Sequence, residues 1–96
     1  MRQLKKQPAF QLGQIVASPS ALVAIERAGQ KPAEFLARHA TRDWGDLSVE
    51  DQKGNDYSLQ HGFRLLSSYR TNAGDTIWII TEADRSATTL LLPEEY

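Results

Sequence analysis

The densest apolar stretch of the chain is residues 76–93, Thr-Ile-Trp-Ile-Ile-Thr-Glu-Ala-Asp-Arg-Ser-Ala-Thr-Thr-Leu-Leu-Leu-Pro. Two β-branched and apolar runs, 76–81 and 88–92, flank a polar link at 82–86, which is the composition of two paired strands and a turn. Such a pair cannot be stable by itself in water, so the preceding segments must cover at least one of its faces.

The segment just before it supplies a third strand. Residues 63–70 alternate, with Phe63, Leu65, Ser67 and Tyr69 on one side and Arg64, Leu66, Ser68 and Arg70 on the other. Asn72-Ala73-Gly74 then offers residues that tolerate positive φ, so 63–81 reads as a hairpin and the whole end as an antiparallel meander. Residues 10–17 alternate loosely around Gly13 and are expected to add a short fourth strand.

Three helices are expected between these strands. Ser18-Pro19 provides a capping hydroxyl and a proline suited to the first helical position, and Ala21, Leu22, Ala24, Ile25 and Ala28 form an apolar stripe that Gly29 ends. Pro32 opens a second helix to about Ala40, with Phe35 and Leu36 apolar and His39 at the margin of that face. Residues 41–47 are a loop rich in turn formers. Ser48, with Asp51 three residues on, starts a third helix that Gly62 stops near His61. Its only large apolar residues are Val49, Tyr57 and Leu59, so it leaves a broad polar face in water. The expected fold is α+β, in the order β-α-α-α-β-β-β, with a three- to four-stranded antiparallel meander and helices on one face. Its core is Leu22, Ile25, Phe35, Leu36, Leu65, Ile77, Ile79, Leu90 and one of Trp44 and Trp78.

Bulk properties narrow the function classes. At 96 residues the chain is one domain, residues 10–96, behind a basic leader at 1–9 (Arg2, Lys5, Lys6) that is expected to be disordered. A net charge of −1 gives no field that would recruit DNA or an anionic membrane. The leader lacks the apolar core of a secretory signal, and no run approaches a membrane span. With no cysteine, disulfides and thiolate metal sites are excluded, in keeping with a soluble cytoplasmic protein.

By Trp44-Gly45-Asp46-Leu47 and the run from Ile79 to Pro93, the chain resembles a group of short uncharacterised bacterial proteins, often carried on plasmids and other integrating elements. The resemblance covers the chain from Phe10 onward and implies an accessory protein of a mobile element. It brings no activity and no catalytic residues.

Two polar groupings stand out. In the first, Arg38, His39, Arg42, Asp43, Trp44 and Asp46, with Asp51 on the next helix, could anchor a binding interface, because Trp and Arg dominate hot spots; the plainer reading is that Trp44 plugs the core while Asp43 and Asp46 hold a turn. In the second, the polar link 81–86 with Thr88 and Thr89, the carboxylates Glu82 and Asp84 beside Arg85 could bind phosphate or polarise a water, or simply close a hairpin. His39, His61, Asp43 and Asp46 lack the spacing of a metal site, so neither metal nor cofactor is expected.

The expected function is a non-enzymatic protein-binding accessory protein. One alternative is a small ribonuclease-like hydrolase, with His39 or His61 as base, Arg64 or Arg85 as phosphate clamp and Tyr57 or Tyr69 as donor. Another is a regulator whose leader touches nucleic acid. A homodimer is a further option should a sheet face carrying Trp78 and Ile80 be left uncovered.

Overall fold

The computed structural model describes residues 7–96; Arg2, Lys5 and Lys6 of the basic leader lie outside them. The elements are β1 (Gln14–Ala17), α1 (Pro19–Arg27), α2 (Pro32–Ala40), α3 (Val49–His61), β2 (Leu65–Arg70), β3 (Thr76–Thr81), β4 (Ala87–Leu91) and a closing 3-10 turn (Pro93–Glu95).

Local chemistry places the helix ends where the sequence puts them. The Ser18 hydroxyl accepts from the amide of Ala21 at 3.1 Å, and that of Ser48 accepts from Asp51 at 3.1 Å. Both supply an acceptor to first-turn amides that a helix leaves unpaired. Gly62 ends α3 in the left-handed region, at φ 75.

The sheet runs β1-β4-β3-β2, with β2, β3 and β4 in the expected antiparallel meander. β1 departs from it: it lies parallel to β4, with Gln14 opposite Ala87 and Ala17 opposite Leu90, so the sheet is mixed. The direction follows from the connections. β1 must deliver Ser18 to the end of the sheet where α1 begins, and there the Ser18 amide donates to Leu90 O at 3.0 Å. β1 is also shorter than the alternation suggested. Gly13 has φ +68, and a Cβ built there would lie 2.4 Å from the Ser86 carbonyl, so the chain turns and approaches the β3–β4 link before the strand starts.

Alternation separates two faces. Leu65, Ser67, Tyr69, Ile77, Ile79, Thr81, Thr88 and Leu90 are buried under the helices. Of the expected core, Ile25, Phe35, Leu65, Ile77, Ile79 and Leu90 are buried, and Leu36 packs at the margin. Leu22 is 42% exposed, because Ala21, Ala24 and Ile25 make the contact face of α1 and leave it on the flank. Trp44 is the buried tryptophan, 3% exposed, while Trp78 is half-buried on the opposite sheet face beneath the ring of Tyr96. No helix among the described residues is long and apolar enough to cross a membrane.

The β2 edge of the sheet is closed. The Ser68 amide donates to Trp44 O at 3.2 Å, and the Asp46 amide donates to Ser68 O at 2.7 Å, so the loop before α3 adds a short bridge to the strand. One turn along, the Asn55 side-chain amide donates to Leu66 O while its oxygen accepts from Leu66 N. A side chain thus imitates a neighbouring strand, which satisfies edge groups that would otherwise pair with other chains.

Gly45 makes the bridge possible. It has φ +77, and a Cβ there would sit 2.0 Å from Ser68 O and 2.7 Å from Tyr69 Cδ1. Gly62 has a similar φ, but no atom lies within 4 Å of its Cβ position. Gly45→Ala should therefore destabilise by more than Gly62→Ala, whose cost is about 1–2 kcal/mol from conformation alone. The two midpoints in urea measure the difference, and equal losses would mean that the bridge adds nothing.

Candidate functional site

The end of the sheet where β3 passes into β4 gathers most of the polar chemistry. Its centre is His39, on the last turn of α2 and wholly buried. His39 Nδ1 lies 2.5 Å from Ser67 Oγ, and Nε2 lies 2.8 Å from Thr81 Oγ1. Thr81 Oγ1 is 2.7 Å from Thr88 Oγ1, whose hydroxyl donates to Leu12 O at 2.7 Å.

Proton counting fixes the direction of this chain. A carbonyl can only accept, so Thr88 uses its one hydrogen on Leu12 and must accept from Thr81. Thr81 must then accept from Nε2–H, and because burial keeps the ring uncharged, Nδ1 accepts from Ser67. His39 is thereby the neutral Nε2–H tautomer, with both nitrogens engaged. Burial, and then the charge of Arg85, push its pKa down to about 4.

Aromatic rings seal this network. Phe10 meets His39 edge-on at 5.3 Å and stacks with Trp44 at 6.2 Å, and Trp44 meets His39 at 5.7 Å. The backbone before Phe10 is fastened by a 2.7 Å bond from Ala9 N to Ala40 O. The Arg85 guanidinium stands 5.7 Å from the Phe10 ring centroid. Phe10 therefore links the two groupings that the sequence singles out.

Within each grouping the polar atoms serve their own turn. Arg85, at φ 61, donates to the carbonyls of Phe63 at 2.7 Å, Glu82 at 3.0 Å and Ala83 at 3.3 Å. Asp84 accepts from Ser86 N at 3.0 Å, and the hydroxyl and amide of Ser86 hold its carboxyl below the ordinary range. Glu82 closes the hairpin through its amide and pairs with Arg64 at 3.5 Å, where solvent screens the attraction.

In the other loop, Asp43 takes Arg38 Nε at 2.6 Å and Nη2 at 3.3 Å, caps Gly45 N at 3.1 Å, and offers its carbonyl to the Tyr69 hydroxyl. Asp43 raises the pKa of Arg38, whose guanidinium lies 4.5 Å from the Tyr69 ring centroid. Arg42, also at positive φ, and Trp44 Nε1 both reach Asp56 on α3, at 3.3 and 3.0 Å. Asp46 contributes its amide to the β2 bridge, and its side chain is exposed. Trp44 is thus a core plug whose indole N–H anchors α3, and cannot be an exposed interface anchor.

Exposed aromatic rings gather around the end of α3 and the start of β2. Tyr57 and His61, four residues apart on the last turns of α3, have ring centroids 4.1 Å apart; Phe63 stacks at 6.1 Å from Tyr57 and 6.4 Å from His61. Tyr57 is 57% and Phe63 52% exposed. Beside them Arg64 donates to the Tyr96 hydroxyl at 2.6 Å. Among the described residues no three His, Cys, Asp or Glu side chains come together to hold a metal ion.

No protein-family model matches the chain, and neither the curated proteins nor the solved structures contain a match.

The His39 network makes stability depend on pH in a defined window. The unfolded histidine binds a proton near pH 6.5 and the folded one only near 4, so its stabilising contribution is full above 6.5 and is lost as pH falls to 4. The loss amounts to about 3 kcal/mol. Urea unfolding between pH 7 and 4 should show uptake of up to one proton. His39→Gln should be less stable at pH 7 and flat across that window; a wild-type profile flat above pH 4 would contradict the assignment.

Proposed function

We propose that the protein is a small non-enzymatic protein-binding domain whose contact surface is the aromatic array Tyr57, His61 and Phe63, with Arg64, Glu82 and Asp84 beside it. The observation that carries this reading is the stack itself. Tyr57 and Phe63 stand more than half exposed at the end of a helix that buries little else. Rings held rigid by mutual stacking lose little freedom on binding, and tyrosine and arginine are the residue types that concentrate binding energy. Charges of both signs border the array, Arg64 with Glu82 and Arg42 with Asp56, which suits a polar protein surface better than a polyanion. A host or element-encoded protein fits the mobile-element setting that the sequence resemblance implies.

The arrangement of histidines weighs against the hydrolase alternative. His39 is closed off from solvent and both its nitrogens are engaged, so it cannot take a proton from a substrate hydroxyl. His61 is exposed, but its ring packs against those of Tyr57, at 4.1 Å, and Phe63, at 6.4 Å.

Affinity capture from a bacterial lysate, with identical tags on wild type and on Tyr57→Ser/Phe63→Ser, tests the proposal. The double variant should unfold within about 0.5 kcal/mol of wild type, since both rings are exposed, yet retain its partner at least about thirtyfold more weakly. Equal capture by both proteins would refute it. So would RNA cleavage by the wild type that His61→Ala abolishes.

A further inference from the structure

The two edges of the sheet are treated in opposite ways. The β2 edge is closed by the Trp44–Asp46 bridge and by Asn55, whereas β1 is the terminal strand on the other side, and no strand or bridge among the described residues pairs with its outer side. Its outward groups can be named. The amides of Gln14 and Ser18 donate to Ser86 and Leu90, so in a parallel ladder the even positions face β4. The N–H and C=O of Ile15 and Ala17 therefore point away from the sheet.

The chemistry around this edge is equally one-sided. No charged residue and no histidine occurs between Gln7 and Ile25. Four large apolar residues in that segment stand in solvent, Ile15 at 45%, Val16 at 44%, Leu22 at 42% and Val23 at 52% exposure. Ile15 also lines an open recess with Pro8, Phe10, Leu12, Gly13 and Ala40. Natural edge strands are guarded by lysine, proline or a bulge, and β1 (Gln-Ile-Val-Ala) carries neither lysine nor proline.

We infer that two copies of this chain join edge to edge through β1, antiparallel across a two-fold axis, into one continuous eight-stranded sheet. A second copy fits better than a foreign peptide for two reasons. Its β1 is already held extended by β4, so pairing orders no new chain, whereas a disordered peptide loses conformational freedom on binding. The segment that meets itself carries no charge, so no like charges oppose each other at the axis. The outward positions are odd-numbered, which restricts the hydrogen-bonded pairs to Ile15 with Ile15, Ile15 with Ala17, or Ala17 with Ala17 of the second copy. In each register Val16, on the sheet face away from the helices, lies on or next to the axis. This surface is separate from the aromatic array, so either assignment can fail alone.

Sedimentation velocity over a concentration series, joined to amide hydrogen exchange, tests the inference. The wild type should shift from one to two chains per particle as concentration rises, while the amides of Ile15 and Ala17 become protected and that of Val16 is protected throughout. Val16→Lys places two ammonium groups beside the axis and should raise the dissociation constant at least tenfold. Val49→Lys, at a 67% exposed position on α3, should leave it unchanged. A wild type that stays a single chain at every concentration overturns the inference. So does a dimer in which Ile15 and Ala17 still exchange freely, a result that reads out on wild type alone and does not rely on the variant folding.

Discussion

The hydrogen-bond chain from Ser67 through His39, Thr81 and Thr88 to Leu12 is the constraint to which the upper half of the fold answers. It draws on β2, on the last turn of α2, on β3, on β4 and on the lead-in to β1. Each hydroxyl has a single hydrogen, so the direction set at the Leu12 carbonyl propagates through all four side chains. Removing any one group strands a buried neighbour without its partner, at about 1–3 kcal/mol for a neutral group. The same network explains why Phe10 and Trp44 lie where they do: a buried polar chain is strong only while water is kept away from it.

The charged and polar residues that most resemble a functional site turn out to be the frame around this centre. Arg85 pins the β3–β4 link to the start of β2, Asp43 ties α2 to the loop that follows it, and Asp56 fastens Arg42 and Trp44 to α3. The two ion pairs among these contacts, Arg38 with Asp43 and Arg42 with Asp56, are exposed and contribute little, between about 0 and 1 kcal/mol each. The effect of the frame is positional. It holds two left-handed residues, Arg42 and Arg85, in conformations that the residues would not adopt alone.

Much of this architecture could be read from the sequence because its signals are local. Ser18-Pro19, Pro32, Ser48 and Gly62 set helix ends through contacts within three or four residues, and the alternation of 65–70 and the β-branched apolar run of 76–81 mark the strands directly. What could not be read depends on distant partners. Nothing near Gln14 reveals that its neighbour is β4 or that the pairing is parallel. Trp78 sits in an apolar run and Trp44 among polar turn formers, yet Trp44 is the plug, because the fold buries it and sets its Nε1 against Asp56 on α3. Ser67 reads as an ordinary strand residue, and Thr81 and Thr88 read as part of the polar link, not as buried partners of a histidine. Their one signal is that all three hydroxyls fall on the inward phase of their strands, where an apolar residue would be usual, together with a histidine at the edge of a helical stripe. Asn55 gave no signal at all, since a helical asparagine with an edge strand as partner looks like any solvated amide.

The parallel union of β1 with β4 also orders events in time. β2, β3 and β4 pair with their immediate neighbours in sequence, so they can zip as soon as they exist. β1 cannot: the Thr88 hydroxyl meets Leu12 across 76 positions, and Ser18 meets Glu95 across 77. On a ribosome adding about 5–20 residues per second, the first strand waits seconds for its partner while three helices are made. Closing so long a loop is entropically costly and slow. Docking of β1 is thus the step that completes the fold, and an uncharged apolar strand is what the nascent chain must carry unpaired until then.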